Sequence, residues 1–419
     1  MNFQPNVPFA SSPALARVAR GDLCAGCGAC AGLVPAKISM VTVPPGYLRP
    51  QQNAPLNPAE EALVAAVCPG LGQSVDPAGR QDNVLWGPYV EMRTGWSTDP
   101  ALRHAGASGG GLSAMLGHLL AENHIDAVIS TAANPALSIG NVPVILTDVS
   151  GLLHGAGSRY APSAPLADLR TLQADERRFA FVGKPCDAAA LRALIATEPD
   201  FGRVFPVILS FFCAGVPSHA GARGVLAALG VAEAETVAFR YRGNGWPGRA
   251  TATLADGSER SMTYHDSWGK ILSKHVQHRC KICADGTGVA ADIVCADAWE
   301  SDDKGYPIFA EADGVSLIVA RNTLGVRLIA AAETAGRIET TPFDPATLAA
   351  IQPGQRERRR ALLARLTALR LVGRPVPRYE GLHLWAAARQ NPLMRNLKNF
   401  AGMLRRAVWS NKNSTGTPT

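Results

Sequence analysis

Short, wholly apolar runs closed by glycine and proline alternate along this chain with stretches of helical periodicity. Phe179 to Val182 is one such run, ending at Gly183-Lys184-Pro185-Cys186, and the run from Val204 to Phe212 ends at Cys213-Ala214-Gly215. Neither has a polar face, so each is predicted as a strand buried on both sides and followed by a helix, over 187–197 and 218–229. That order is the pattern of a parallel sheet. Upstream, an apolar helical stretch from Leu112 to Leu120 precedes a predicted strand over 126–130, and a new unit is predicted to begin near Trp86 to Thr98. Residues 43–59 hold Pro44, Pro45, Pro50, Pro55 and Pro58 and are predicted as an irregular connection. Near the carboxyl end, Leu393, Leu397, Phe400, Leu404 and Val408 recur at helical spacing with Arg395, Lys398, Arg405 and Arg406 interspersed, an amphipathic basic helix.

The cysteines turn this outline into chemistry, because eight of the nine fall into two sets of four. The first is C-A-G-C-G-A-C, giving Cys24, Cys27 and Cys30, with a remote Cys68-Pro69-Gly70. Three close thiolates and a distant Cys-Pro are nearly half of a bacterial ferredoxin and predict one 4Fe-4S cluster. Zinc also accepts four thiolates, but the third close cysteine and the Cys-Pro favour iron-sulfur. Val34 stands where a local fourth cysteine would serve another cluster, with Pro35 still following, so this module is expected to hold one. The second set is dispersed. Cys186 and Cys213 follow two predicted parallel strands and would meet on one rim of the sheet, and Cys280 and Cys283, in R-C-K-I-C-A-D, add a local pair. A second 4Fe-4S site is the reading adopted, while zinc and ordinary buried thiols stay compatible with the spacing. Cys295 is left over, read as a packed small residue.

Three glycine-rich segments carry further candidates. Ser108-Gly109-Gly110-Gly111 opens the helical stretch, and a helix start offers free amides and a positive dipole end to a phosphate, although close packing also explains such glycines. In Gly155-Ala156-Gly157-Ser158-Arg159-Tyr160, the arginine suits a phosphate and the tyrosine a flat ring, or the segment is a surface turn. In Phe239-Arg240-Tyr241-Arg242-Gly243-Asn244, alternation places Arg240 and Arg242 on one strand face, toward a common site or toward solvent.

Composition sets limits. With 419 residues, 47% of them hydrophobic, about three structural units with a sizeable core are expected. The start lacks a charged-then-apolar leader pattern, and the longest apolar run, Val204 to Val216, is too short for a bilayer. With metal-like cysteines, this predicts a soluble protein of a reducing cytoplasm. Residues 356–412 contain 14 Lys or Arg and two acids, a local +12 within a net +7, which leaves −5 elsewhere. The basic tail is read as docking to an acidic partner such as a ferredoxin, as peripheral contact with an anionic membrane, or as a helix laid on the body with a solvated face. No nucleic-acid motif accompanies the charge.

As an ordered set, the cysteine modules, A-S-G-G-G, G-S-R-Y-A-P, F-V-G-K-P-C-D, F-F-C-A-G-V-P-S, F-R-Y-R-G-N-G-W-P-G and A-D-I-V-C-A-D-A-W resemble the family of beta subunits of deazaflavin-coenzyme hydrogenases and dehydrogenases, over about residues 20–325. That family includes chlorophyll-pathway reductases acting on hydroxymethyl and vinyl groups. The resemblance implies a flavoprotein, with FAD against a 4Fe-4S centre held by Cys186, Cys213, Cys280 and Cys283. It makes Ser108, Gly109, Gly110, Gly157, Ser158, Arg159 and Tyr160 expected flavin contacts. Lys184, Arg240, Arg242 and Asn244 are further cofactor-binding candidates. Lys184, His265 and Asp297 are the candidate catalytic groups, His265 with Asp266 for proton supply. Lys184 and Asp187 flank Cys186 where some relatives are uncharged, and Ala296 replaces a common glycine, so the substrate of relatives does not carry over.

The expected fold is α/β, α+β overall. It comprises a ferredoxin-like 4Fe-4S module (1–80), a flavin-binding domain (85–170), a domain with the second 4Fe-4S site (171–350) on a mixed, largely parallel sheet, and a basic helical tail (351–419). The expected function is electron transfer between ferredoxin or another redox protein and a small organic two-electron substrate, through two 4Fe-4S clusters and FAD. A non-catalytic electron-transfer subunit of a larger complex and a metal-stabilised accessory protein of polysaccharide metabolism are the alternatives.

Overall fold

Successive strand residues face opposite sides, and in the centre of this protein both sides are apolar. Phe179 and Phe181 enter one core while Ala180 and Val182 enter another. The computed structural model describes residues 11–298, 308 and 310–414. Its eight-stranded sheet is built from β1 (Glu91–Ser97), β2 (Ala127–Asn134), β3 (Leu137–Leu146), β4 (Phe179–Gly183), β5 (Val207–Phe211), β6 (Ile293–Asp297), β7 (Ser316–Ala320) and β8 (Ile338–Pro342), in the order β8-β1-β7-β6-β5-β4-β2-β3.

Only β2, β4, β5 and β6 run parallel to their neighbours in that group. The remaining four pairings are antiparallel, so the sheet is mixed as expected, but its parallel part is confined to these four strands. The cause is connection length at one edge: two residues join β2 to β3, and a link that short permits only a hairpin. The predicted strand from Val204 begins later because Phe201–Val204 closes a short helical turn. The predicted helices form as Pro185–Thr197 and His219–Leu229, and the apolar stretch after Gly110 as Gly111–Ala121.

The proline-rich stretch is not irregular. Ile38–Val43 and Tyr47–Gln52 pair antiparallel around Pro44-Pro45-Gly46, and Pro50 sits opposite Met40 in a two-stranded ribbon, where a missing N–H is tolerated. Pro58 starts helix Pro58–Val67 behind Asn57, whose side chain accepts from the Glu60 N–H (2.9 Å) while the Glu60 carboxylate accepts from the Asn57 N–H (2.8 Å). This N-terminal region packs on one face of the sheet through Leu33, Val34, Ile38, Val64 and Val67. A small antiparallel sheet (Thr236–Arg240, Arg249–Leu254, Glu259–Thr263) lies with helix His219–Leu229.

Helix Leu393–Ser414 packs on helix Pro353–Leu371 through Phe400, Met403, Leu404 and Ala407. Its predicted apolar stripe is divided: Leu393 is 74% and Leu397 51% exposed, with Val408 at 43%. Among the described residues no helix is long and apolar enough to cross a membrane.

Candidate functional site

Beyond the carboxyl ends of β4, β5 and β6 lies a cavity of about 770 Å³. That is where ligands gather on parallel sheets, and the size suits an organic cofactor. One wall is the start of helix Gly111–Ala121. Gly109 and Gly110 take φ of +74° and +69°, which turns the chain into the helix. The Ser108 hydroxyl donates to the Ala296 carbonyl (3.1 Å), and the Ser316 hydroxyl accepts from the Gly111 N–H (3.2 Å) while donating to the Ser108 carbonyl. Ser108 and Gly110 line the cavity. Gly109 instead packs against the Gly314 backbone, and its carbonyl accepts from the Ser97 N–H (2.8 Å).

Another wall is the turn Gly157-Ser158-Arg159-Tyr160, all four residues lining the cavity. Arg159 is held by neutral acceptors: its Nε donates to Asn141 Oδ1 (2.6 Å) and its Nη2 to the Gly140 carbonyl (3.1 Å). Tyr160 lies 4.8 Å from Trp268 between ring centroids, and with Tyr264 they form an aromatic surface on the cavity. Gly157 has φ of +91°, and a Cβ there would sit 2.6 Å from the Arg242 carbonyl oxygen. Gly157→Ala is therefore expected to lower stability by about 1–3 kcal/mol, read by urea unfolding. A loss under about 0.5 kcal/mol, the size of a neutral surface change, would show that the turn yields freely.

Arg242 is 2% exposed and holds Asp297 with two bonds of 2.9 Å, while its Nε donates to the Pro247 carbonyl (2.6 Å). Burial pulls its pKa down most strongly, but Asp297 and Tyr160 together outweigh that and the cation is reinforced. Arg242 and Asp297 both line the cavity; Arg240 and Asn244 do not. The expected shared strand face of Arg240 and Arg242 is absent because the strand ends at Arg240, and Gly243 and Gly245, at φ of +125° and +99°, turn the chain. Lys184 lines the cavity with its ammonium fixed by Asp187 (2.7 Å) and the Ser163 hydroxyl (3.0 Å). Burial works against that charge, and Asp187 and then Cys186 more than offset it. His265 is exposed on the helical turn His265–Ile271, outside the cavity lining, and Asp266 beside it pairs with Lys270 at 2.7 Å.

The carboxyl-terminal region contributes residues that the sequence reading passed over. Gln352, Gln355, Arg358 and Arg365 line the cavity with Lys281. Gln355 Nε2 donates to the Cys213 carbonyl (3.0 Å), as does Arg358 Nη1 (2.9 Å). Burial, then the nearby Arg358 and Arg406, push Arg365 down to about 10. The available signal was the seven-residue interval between Arg358 and Arg365, which puts both on one helix face.

Cys24, Cys27, Cys30 and Cys68 line one small pocket together with Ala25, Gly28, Ala29, Pro69 and Gly70. The Gly26 N–H donates to Cys24 Sγ (3.3 Å). Burial raises each of these thiols, Cys68 to about 11, and for Cys27, Cys30 and Cys68 other sulfurs of the same set add to the rise. The second set also gathers. Burial pushes Cys213 up to about 12, with Cys280 and Cys283 contributing, and Cys186 is raised by burial with Cys213 and Cys283 among its neighbours. Cys280 Sγ accepts from the Val216 N–H (3.4 Å) and from Gln277 Nε2 (3.6 Å), and Cys213 and Cys280 face the cavity. Cys295 is 6% exposed on β6 within the apolar core and also borders the cavity. Among the described residues, no group of three or more His, Cys, Asp or Glu is placed to hold a metal ion.

Known proteins share this arrangement of segments. A component of the F(420)H(2) dehydrogenase of Methanosarcina mazei is 24% identical over 296 residues, 69% of this chain and 81% of that protein. A chain in the structure titled as a xenon derivatization of the F420-reducing NiFe hydrogenase complex from Methanosarcina barkeri superimposes with a TM-score of 0.50 at 19% identity, covering 68% of this chain and 96% of that one, and so shares its fold. The family described as coenzyme F420 hydrogenase/dehydrogenase, beta subunit, matches residues 92–170 with the model of its N-terminal part and 176–346 with the model of its C-terminal part, together more than half of the sequence. From β1 through β8, with the Ser108 and Gly157 walls and the second cysteine set included, this chain belongs to the family of coenzyme F420 hydrogenase/dehydrogenase beta subunits.

Proposed function

We propose that the protein is an iron-sulfur flavoprotein oxidoreductase that passes electrons between a one-electron protein donor, such as ferredoxin, and a small organic substrate. The observation that carries this reading is the placement of Cys213 and Cys280 on the wall of the cavity whose other walls are the Ser108–Gly110 helix start and the Gly157–Tyr160 turn. Cys24, Cys27, Cys30 and Cys68 would hold one 4Fe-4S cluster in a ferredoxin-like module, and Cys186, Cys213, Cys280 and Cys283 the other. FAD would lie between the two glycine-rich walls. When bound, the clusters carry single electrons and the flavin exchanges a hydride, which joins one-electron to two-electron chemistry.

The residues fit these groups on physical grounds. A cubane gives each iron its own thiolate, so four sulfurs need not meet at one point as they must for zinc. Buried thiols that raise one another are costly to ionise without a compensating cation. N–H donors to Cys24 and Cys280 favour the thiolate. The amides at the start of helix Gly111–Ala121 suit a pyrophosphate, and Tyr160, Tyr264 and Trp268 offer flat apolar surface. Arg358, Arg365 and Lys281 give the cavity an edge that favours a substrate with an anionic group.

The names of the M. mazei and M. barkeri proteins support a redox role with protein partners. They also favour the second reading, an electron-transfer subunit of a larger complex. Anaerobic purification separates the readings: about eight irons and one FAD per chain are expected, with reduction of a substrate by the isolated protein. Full cofactor content without turnover until a partner is added selects the second reading. Colourless protein containing zinc overturns both.

A further inference from the structure

One residue adjoins both cysteine sets. Arg279 directly precedes Cys280 and is 2% exposed, and its Nη2 donates to the carbonyl oxygen of Pro69 (2.8 Å), the residue after Cys68. Its Nε and Nη1 are buried and have no hydrogen-bond partner among the described residues. Leaving such donors unsatisfied in the interior is unfavourable, and an anionic cluster beside the guanidinium would relieve that cost. Toward the first set, the guanidinium neighbours Cys24 and Cys68. Toward the second, it neighbours Cys283, Cys186 and Cys280, with its Cζ 5.8 Å from the centre of the Tyr379 ring.

Neighbouring contacts strengthen the bridge. Gln277 Nε2 donates both to the Ala25 carbonyl (3.3 Å), beside Cys24, and to Cys280 Sγ (3.6 Å). Asp187, which neighbours Cys27 as well as Cys186, is paired with Lys184 at 2.7 Å, while Arg49 stands beside Cys24 on the first side and Arg358 beside Cys213 and Cys280 on the second. Arg279 is a positive charge set between the two cages.

We propose that Arg279 couples the two cysteine cages: its charge raises the reduction potentials of both clusters together, and Pro69 O···Nη2 with the Arg279–Cys280 linkage gives electrons a bonded route between them. This rests on the two-cluster reading above. No bond is made or broken and no proton is required. One electron leaves the cage containing Cys68 and one arrives at the cage containing Cys280. Each reduction adds a negative charge, which a nearby cation in a poorly screened interior stabilises.

The test is an EPR-monitored redox titration of the anaerobically purified full chain as wild type, Arg279→Met and Arg279→Lys. For Arg279→Met, the reduced-to-oxidised ratio of both clusters at fixed poise is expected to fall at least about tenfold, which is about 59 mV for a one-electron couple. Arg279→Lys should recover most of it. A shift confined to one cluster, no shift, or equal shifts in the two variants overturns the proposal. If Arg279→Met does not retain both clusters, the fully reduced wild type decides. Spin–spin interaction between the signals is expected, and two isolated signals overturn the bridge. A wild type with fewer than two cluster signals overturns the two-cluster reading itself, before any variant is compared.

Discussion

Replacing Asp297 with alanine is expected to destabilise the protein by about 3–5 kcal/mol, the range for breaking one partner out of a buried ion pair. Arg242 is 2% exposed and donates two 2.9 Å bonds to Asp297 on the cavity side. The guanidinium cannot neutralise itself by losing a proton at ordinary pH, so the variant must bury the cation without this carboxylate or open the cavity wall to water. The loss should exceed that of Asp297→Asn, which keeps an acceptor. Adding Arg242→Met to Asp297→Ala should restore part of the stability, because the penalty lies in the stranded charge more than in the lost attraction. Urea unfolding of the three variants measures this. A loss below about 1 kcal/mol for Asp297→Ala, the value of an exposed pair, would show that the pair is not effectively buried.

Cys68→Ala is expected to halve the iron of the anaerobically purified protein, from about eight to about four per chain, while FAD content stays near one. The asymmetry follows from position. Cys68 caps helix Pro58–Val67 and shares its pocket with the other three cysteines of the N-terminal set, whereas the large cavity is walled by Cys213 and Cys280. Reduction of the bound flavin by a ferredoxin should then drop by at least about a hundredfold, an amount equal to roughly 2.7 kcal/mol in barrier, while dithionite still bleaches it. Unchanged iron in Cys68→Ala would remove the first cage from the proposal. Loss of all iron and flavin together would mean that the two sites assemble as one.

Much of the site was legible because its residues sit at points where the sequence changes character. β4 and β5 end where apolar runs meet Gly183 and Cys213, so the rim that carries Cys186 and Cys213 follows from hydrophobic pattern and topology alone. The hairpin at 38–52 was hidden because prolines read as interruptions; Pro44-Pro45 forms its turn and Pro50 occupies a ribbon strand. Arg240 and Arg242 were paired by alternation that stops one residue too early, and positive φ at two glycines, which periodicity does not register, sends Arg242 to Asp297. Arg358 and Arg365 were absorbed into a block of tail charge. Their role depends on helix Pro353–Leu371 lying beside Cys213, a contact between residues about 140 positions apart, and no local pattern encodes it.

The order of strands in the sheet bears on how the protein is made. β1 sits between β7 and β8, so an early-synthesised strand waits for two of the latest before either of its edges is covered. The floor beneath Cys24 and Cys68 likewise includes Leu362 and Leu366 from near the end of the chain. Long-range pairings of this kind form slowly and leave edges open meanwhile. Cofactor loading would then be a post-translational event on a nearly finished chain, and a ribosome-stalled product ending before β7 should emerge metal-free and prone to aggregate.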